Sequence, residues 1–319
     1  MRDPDFATMP GDHPPFPLRR PTSIEEVKAR IAHFRSPEAA AAPAELRVRP
    51  SDVFVAMYSK SGTTWMQQVV HQLRTGGDDD FEEISCVVPW LESARDAGID
   101  PLAEQRGAFR AFKSHLSARD LPKGGRYITV FRDPESVLRS FYDYFDGWWF
   151  EAGSVSIEQF ARGFYLTGSS AGRHWDHLVD WWPRRDAPQT LLLCYEDMVA
   201  APHAVPPLVA DFLGLSIDAR KMDRVVDACS REHMARNVRQ FDDHVLREAR
   251  DPIWGLPAGG DSAKVRASDA GDRGRGAGLP EAVRADLDRV WQGVVTSVLG
   301  FRSYAELRAA MPNPLGVAR

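Results

Sequence analysis

The run Val53-Phe54-Val55-Ala56-Met57-Tyr58 is apolar throughout and stops at Ser59-Lys60-Ser61-Gly62. From Thr63 onward the apolar positions Trp65, Met66, Val69, Val70 and Leu73 recur at helical spacing. A strand without polar alternation has both faces buried, which happens when helices cover both sides of a parallel sheet. The pattern recurs. Tyr127-Ile128-Thr129-Val130-Phe131 leads into a helix-like segment at Pro134–Phe145, and Thr190–Tyr195 leads towards another at Pro206–Leu213. A shorter strand, Ala108–Phe112, runs into Lys113-Ser114-His115. These alternations predict an α/β fold, a doubly wound parallel sheet with flanking helices. In such sheets ligands lie at the carboxyl ends of the strands.

Outside those units the chain is less regular. Residues 1–22 are rich in proline and read as an extended arm, after which Thr22-Ser23-Ile24-Glu25-Glu26 carries a capping pattern that opens a helix to about Phe34. Residues 251–280 contain seven glycines and several arginines. They read as a lid loop, because a further helix, Glu281–Leu299, has to return to the same body. No internal repeat and no boundary divides the chain, so residues 1–319 are expected to form one domain.

Composition narrows the function classes. A net charge of −5 gives no basic stripe for a nucleic-acid backbone. Three separated cysteines, Cys86, Cys194 and Cys229, fit a reducing compartment and exclude a cysteine zinc ribbon. The N-terminus has no apolar core behind a basic start, and no stretch approaches the ~18 apolar residues of a membrane helix. The expected location is the cytoplasm, with no membrane span.

Tyr58-Ser59-Lys60-Ser61-Gly62-Thr63-Thr64-Trp65, between strand and helix, is suited to an anion. The turn aims backbone N–H groups and a helix N-terminus at one point, Gly62 allows close approach, Lys60 adds positive charge, and Thr63 and Thr64 add hydroxyls. An ordinary turn with a solvated lysine has the same local sequence. The lysine precedes the glycine, so the Walker pattern GxxxxGK[ST] is not met.

YSKSGTTW resembles the 5′-phosphosulfate loop of cytosolic-type sulfotransferases, written [YF]PK[ST]GT[TS]W, with Ser59 in place of the proline. Phe131-Arg132-Asp133-Pro134 through Ser140 is similar to that family's 3′-phosphate segment. Arg132 offers a rigid fork at a strand end and Ser140 a hydroxyl from the next helix. Phe112-Lys113-Ser114-His115-Leu116 resembles the family's K-[TS]-H-L segment. The resemblance implies a P-loop-like sulfotransferase fold and transfer of a sulfuryl group from 3′-phosphoadenosine 5′-phosphosulfate (PAPS; product PAP) to an acceptor hydroxyl. It implies His115 as general base, Lys60 and Lys113 stabilising the charge that grows on the leaving phosphate, and Ser140 restraining Lys60.

It also implies nucleotide contacts from Ser61, Gly62, Thr63 and Thr64, adenine stacking by Trp65, and a bond to the base from Tyr195 in the YEDM match. Ser230 matches a 3′-phosphate serine, and Arg231 replaces a phenylalanine but can still cover a purine face. The lid pattern RKGxxGxWK aligns to residues 266–274, where Arg266 and Gly271 agree; Arg266 and Ser268 are carried over as ligands. The KxxxTVxxxE dimerisation pattern does not follow, so oligomeric state is left open.

The aromatic stretch Phe141–Phe150 is either core or, through Phe145, Trp148 and Trp149, a pocket for a small aromatic or lipidic alcohol. No metal is expected; His174 and His177 read as a solvated helix face. Two rivals remain. A P-loop kinase would need the Walker pair and a magnesium carboxylate. A silent nucleotide sensor would not need Lys60, Lys113, His115 and Ser140 together.

Overall fold

The computed structural model describes residues 16–168, 172–262, 264–265 and 278–319. Its centre is a four-stranded parallel sheet of β1 (Val53–Ala56), β2 (Ala111–Ser114), β3 (Arg126–Phe131) and β4 (Thr190–Cys194), in the order β2-β1-β3-β4. Val53 pairs with Ala111 on one side and Arg126 on the other, and Tyr127 pairs with Thr190. Successive side chains of the buried strands feed two cores. Phe54, Phe112 and Tyr127 stack on one face, whereas Val53, Val55, Ile128 and Val130 pack on the other. The chain leaves β1 towards β2 on one side and β3 on the other, which opens a crevice at the strand tips.

One strand is displaced from its expected position: β2 begins at Ala111, not Ala108, and carries Lys113 inside the sheet. Backbone partners on both edges extend it. Ser114 pairs with Ala56, and Lys113 exchanges bonds with the Pro89–Leu91 segment, its N–H donating to Pro89 O at 2.9 Å.

Along the chain, α1 (Ile24–Ile31) and α2 (Pro37–Glu45) precede β1, and α3 (Thr63–Thr75) and the short α4 (Ile84–Val87) follow it. The cap of α1 is Ser23, within the pattern Thr22–Glu26, with Glu26 N donating to Ser23 Oγ at 3.3 Å. The helix stops at Ile31, short of Phe34. Helix α5 (Pro134–Trp148) leaves β3, capped by Asp133, and α6 (Ile157–Phe160) and α7 (His174–Trp181) lead to β4. After β4 come α8 (Tyr195–Ala200), α9 (Val205–Phe212), α10 (Ala219–Ala228), α11 (Arg231–Arg236) and α12 (His244–Arg250). The expected helix at 281–299 is α13 (Glu281–Trp291) and α14 (Ser297–Leu299), joined by a π-helical turn, and α15 (Tyr304–Ala310) ends the fold.

The described part of the arm is pinned to the body of the fold. Arg30, buried in the core, donates to the carbonyls of Arg19, Trp254 and Gly255 at 2.8–2.9 Å. This ties the last residues of the arm to the loop after α12 and satisfies a buried guanidinium with backbone oxygens. Residues 251–262, expected as lid, pack onto α5: Trp254 and Leu256 are buried, and Asp261 N donates to Gly147 O at 2.8 Å. Among the described residues no helix is long and apolar enough to cross a membrane.

Candidate functional site

All four strands point their carboxyl ends at one region, and each delivers a residue singled out in the sequence. The loop after β1 holds Lys60 at φ 67° and Gly62 at φ 96°, both left-handed. Gly62 is the N-cap of α3, and no side chain caps that helix. The first-turn N–H groups of a 13-residue helix therefore face the loop without an internal acceptor from the cap. Ser61 Oγ, Thr63 Oγ1 and Trp65 Nε1 are buried and have no hydrogen-bond partner among the described residues. A Cβ on Gly62 would meet the Tyr195 ring at 3.0 Å, so both the backbone angle and the space select glycine. Uncapped donors and orphaned buried polar atoms around a glycine cradle fit an anionic nucleotide end.

Beyond the tip of β2, the His115 ring is bonded through Nδ1 to Met57 O at 2.7 Å, and its backbone N–H donates to Glu92 Oε1 at 2.7 Å. Its ring stands edge-on to Trp90, with centroids 5.1 Å apart. Lys113 Nζ lies 4.0 Å from the centroid of the same Trp90 ring. Burial, and then the Lys113 cation, hold His115 well below 6.5. Burial, and then Lys264, push Lys113 down to about 8. A neutral imidazole therefore sits near a cation that keeps its proton at neutral pH.

From β3, Arg132 donates through Nη1 to Lys60 O at 2.6 Å and covers the Tyr195 ring at 4.0 Å. Its Nε is buried without a partner among the described residues. Tyr195 begins α8 at the tip of β4, so Arg132, Gly62 and Tyr195 form one contact. Glu196 braces the turn, accepting from Asp133 N at 3.0 Å and from the Tyr304 hydroxyl at 2.7 Å.

The other expected residues are placed as follows. Ser140 is half-buried on α5, and Thr64 is buried in the first turn of α3. Ser230 caps α11, accepting from His233 N at 3.1 Å, and Arg231 is exposed at the start of that helix. Arg266 and Ser268 lie outside the described residues. Phe145, Trp148 and Trp149, expected to face an acceptor, are 4%, 1% and 1% exposed and pack in the aromatic core. The rings nearest the lysines are Trp90 and Tyr144; Tyr144 lies under Lys60 Nζ at 4.3 Å. His174 and His177 are not on a solvated face: α7 buries both against Tyr58, at centroid distances of 5.2 and 5.4 Å. Among the described residues no group of three or more histidine, cysteine or acidic side chains could hold a metal ion.

Sequence reasoning missed a buried charge cluster beside the lysines. The carboxylate of Asp243 pairs with Lys264 and accepts from the Tyr144 hydroxyl at 3.2 Å. Glu83, fully buried, accepts from Val245 N at 2.9 Å. Neither carboxylate belongs to a local motif. Only the fold brings residues 83, 113, 144, 243 and 264 together.

The described geometry can be set beside known proteins. A family model described as "Sulfotransferase domain" matches residues 50–271. Sulfotransferase 1B1 of Canis lupus familiaris is 31% identical over 204 residues, covering 59% of this chain and 68% of the relative. Sulfotransferase 1C2 of Rattus norvegicus is 28% identical over 210 residues, covering 60% and 68%. The solved structure of mouse sulfotransferase SULT7A1 complexed with PAP aligns with a TM-score of 0.62 at 18% identity, covering 87% of this chain and 94% of that one. Retinol dehydratase in complex with androsterone and inactive cofactor PAP aligns with a TM-score of 0.58 at 20% identity, covering 87% and 86%. These two likenesses establish the fold.

Proposed function

Since the chain belongs to the sulfotransferase domain family, we propose that it moves a sulfuryl group from PAPS to the hydroxyl of a small-molecule acceptor, within a single domain. The observation that carries this reading is the uncapped start of α3, where buried Ser61 Oγ, Thr63 Oγ1 and Trp65 Nε1 have no partner among the described residues. The SULT7A1 and retinol dehydratase structures named above contain PAP, which supports the same nucleotide here.

In this reading Lys60, Thr63, Thr64 and the α3 N–H groups hold the 5′ end of the donor. Arg132 and Ser140 hold its 3′-phosphate, and Trp65 and Tyr195 flank its base. When bound, PAPS supplies an electron-poor sulfuryl group on a phosphate leaving group. The chain's own residues do the rest. His115 commits Nδ1 to the Met57 carbonyl, so Nε2 carries the lone pair that takes the acceptor proton. Lys113, cationic at neutral pH, and Lys60 stabilise the negative charge that grows on the leaving oxygen.

Calorimetric titration with PAP, 5′-AMP and ATP tests the reading. A 3′-phosphate held by Arg132 should make PAP bind about 10–100-fold more tightly than 5′-AMP, the worth of charge-assisted bonds. Preference for ATP, or equal affinity for PAP and 5′-AMP, would overturn it.

A further inference from the structure

Asp243 occupies the N-cap position of α12 yet does not cap it. The helix start is served instead by Asp242 Oδ1, which accepts from His244 N at 3.1 Å, and by Glu83 Oε2, which accepts from Val245 N. Asp243 itself takes a left-handed φ of 57°, uncommon for a residue with a side chain. That conformation sends its carboxylate inward, where it is only 4% exposed, to Lys264 and the Tyr144 hydroxyl. A left-handed backbone that turns the carboxylate inward and a relinquished capping role mark a side chain placed for another purpose.

The surroundings indicate what that purpose is. The Tyr144 ring lies under Lys60 Nζ, and Asp243 acts electrostatically on Lys113, whose ammonium shares the Trp90 ring with His115. The carboxylate therefore borders the region that holds the base and both lysines. Its partner Lys264 belongs to no helix or strand. Beside the pair, Glu83 Oε1 is buried without a hydrogen-bond partner among the described residues, an acceptor site still open. An ion pair between a buried carboxylate and a primary ammonium on an irregular segment has the chemistry to exchange that ammonium for another.

We propose that Asp243 recognises a primary ammonium group on the acceptor alcohol, and that Lys264 is the internal stand-in for that group when the acceptor is absent. The inference rests on the sulfotransferase reading and adds an acceptor class to it, amine-bearing alcohols or phenols. It also separates the two members of the ion pair. A purely structural pair would make both substitutions act in the same direction. A site and its stand-in make them act oppositely.

The test is calorimetric binding of tyramine and para-ethylphenol, which differ by the amine, to the PAP-loaded protein. Wild type should prefer tyramine at least about tenfold, equivalent to ~1.4 kcal/mol. Asp243→Asn, which tolerates the left-handed backbone, should abolish that preference with para-ethylphenol unchanged. Lys264→Gln should increase it. Thermal melts of both variants establish that they are folded. A wild-type preference below about threefold, undetectable tyramine binding, or losses of the same sign in both variants would overturn the inference. Failure of PAP itself to bind would instead overturn the sulfotransferase reading on which it rests.

Discussion

His115 and Met57 are joined by a 2.7 Å bond between the imidazole Nδ1 and the main-chain carbonyl. A carbonyl only accepts, so Nδ1 must carry the proton and Nε2 must be the acceptor. The bond fixes tautomer and ring orientation together. His115→Asn can keep a donor towards Met57 O while losing the base. Transfer should fall by about 10²–10⁴-fold, the usual worth of a general base, with PAP affinity within about twofold of wild type. Single-turnover sulfation and calorimetry read the two quantities. Loss of nucleotide affinity without loss of rate would reassign His115 as a ligand.

Lys113 gives the site a basic limb. Its ammonium is held at about 8 by burial, with Lys264 lowering it further. A bound anion stabilises the charged form, so the complex holds this proton to higher pH than the free protein does. PAP affinity should be flat below pH ~8 and fall above it, by up to about tenfold per pH unit, as the free protein must take up a proton to bind. In Lys113→Met the limb should disappear. Persistence of the same limb in that variant would place the titration elsewhere.

Arg132, proposed above to hold the 3′-phosphate, also holds the loop, since Nη1 donates to the carbonyl of Lys60, a residue in a left-handed conformation. Lysine lacks the planar fork that makes such bonds in parallel. Arg132→Lys should weaken PAP by about 10–100-fold and 5′-AMP several-fold less, narrowing the ratio between them. An equal loss for both nucleotides would leave Arg132 only its loop-holding part.

What the sequence disclosed and what it withheld follow from how locally each feature is encoded. β1, β3 and β4 are legible because strands buried on both faces lose their polar alternation, and the α3 loop because Gly62 stands between such a strand and a helical pattern. β2 was shifted by three residues because Lys113, a charged residue inside a buried strand, contradicts the pattern; its ammonium is accommodated against Trp90, far away in sequence. Helix α2 escaped notice because Pro43 interrupts an alanine-rich segment that buries only Ala39 and Ala42. The rings Phe145, Trp148 and Trp149 carry no local sign of whether they face a pocket or a core. Packing with Trp254, about a hundred residues later, decides it. Asp243 and Glu83 are the limiting case: neither lies in a motif, and their meaning comes only from what the fold sets beside them.

The far end of the sheet offers a control in which stability and function separate. Asp52 and Arg110 immediately precede β1 and β2, opposite the strand tips that form the site. Asp52 Oδ1 and Oδ2 accept from Arg110 Nε and Nη2 at 3.0 and 2.6 Å, and Oδ2 also accepts from Arg49 N at 2.8 Å. The two side chains are 0% and 6% exposed. Removing one member strands a buried charge, at about 3–5 kcal/mol, whereas removing both costs far less. Asp52→Ala should therefore lower the urea midpoint markedly, and Arg110→Met added to it should recover part of the loss. PAP affinity of the folded fraction should stay unchanged in both. If Asp52→Ala cost less than about 1 kcal/mol, the pair would be behaving as an exposed one, and the register of β1 on β2 would have to be held by the apolar faces of Phe54 and Phe112 instead.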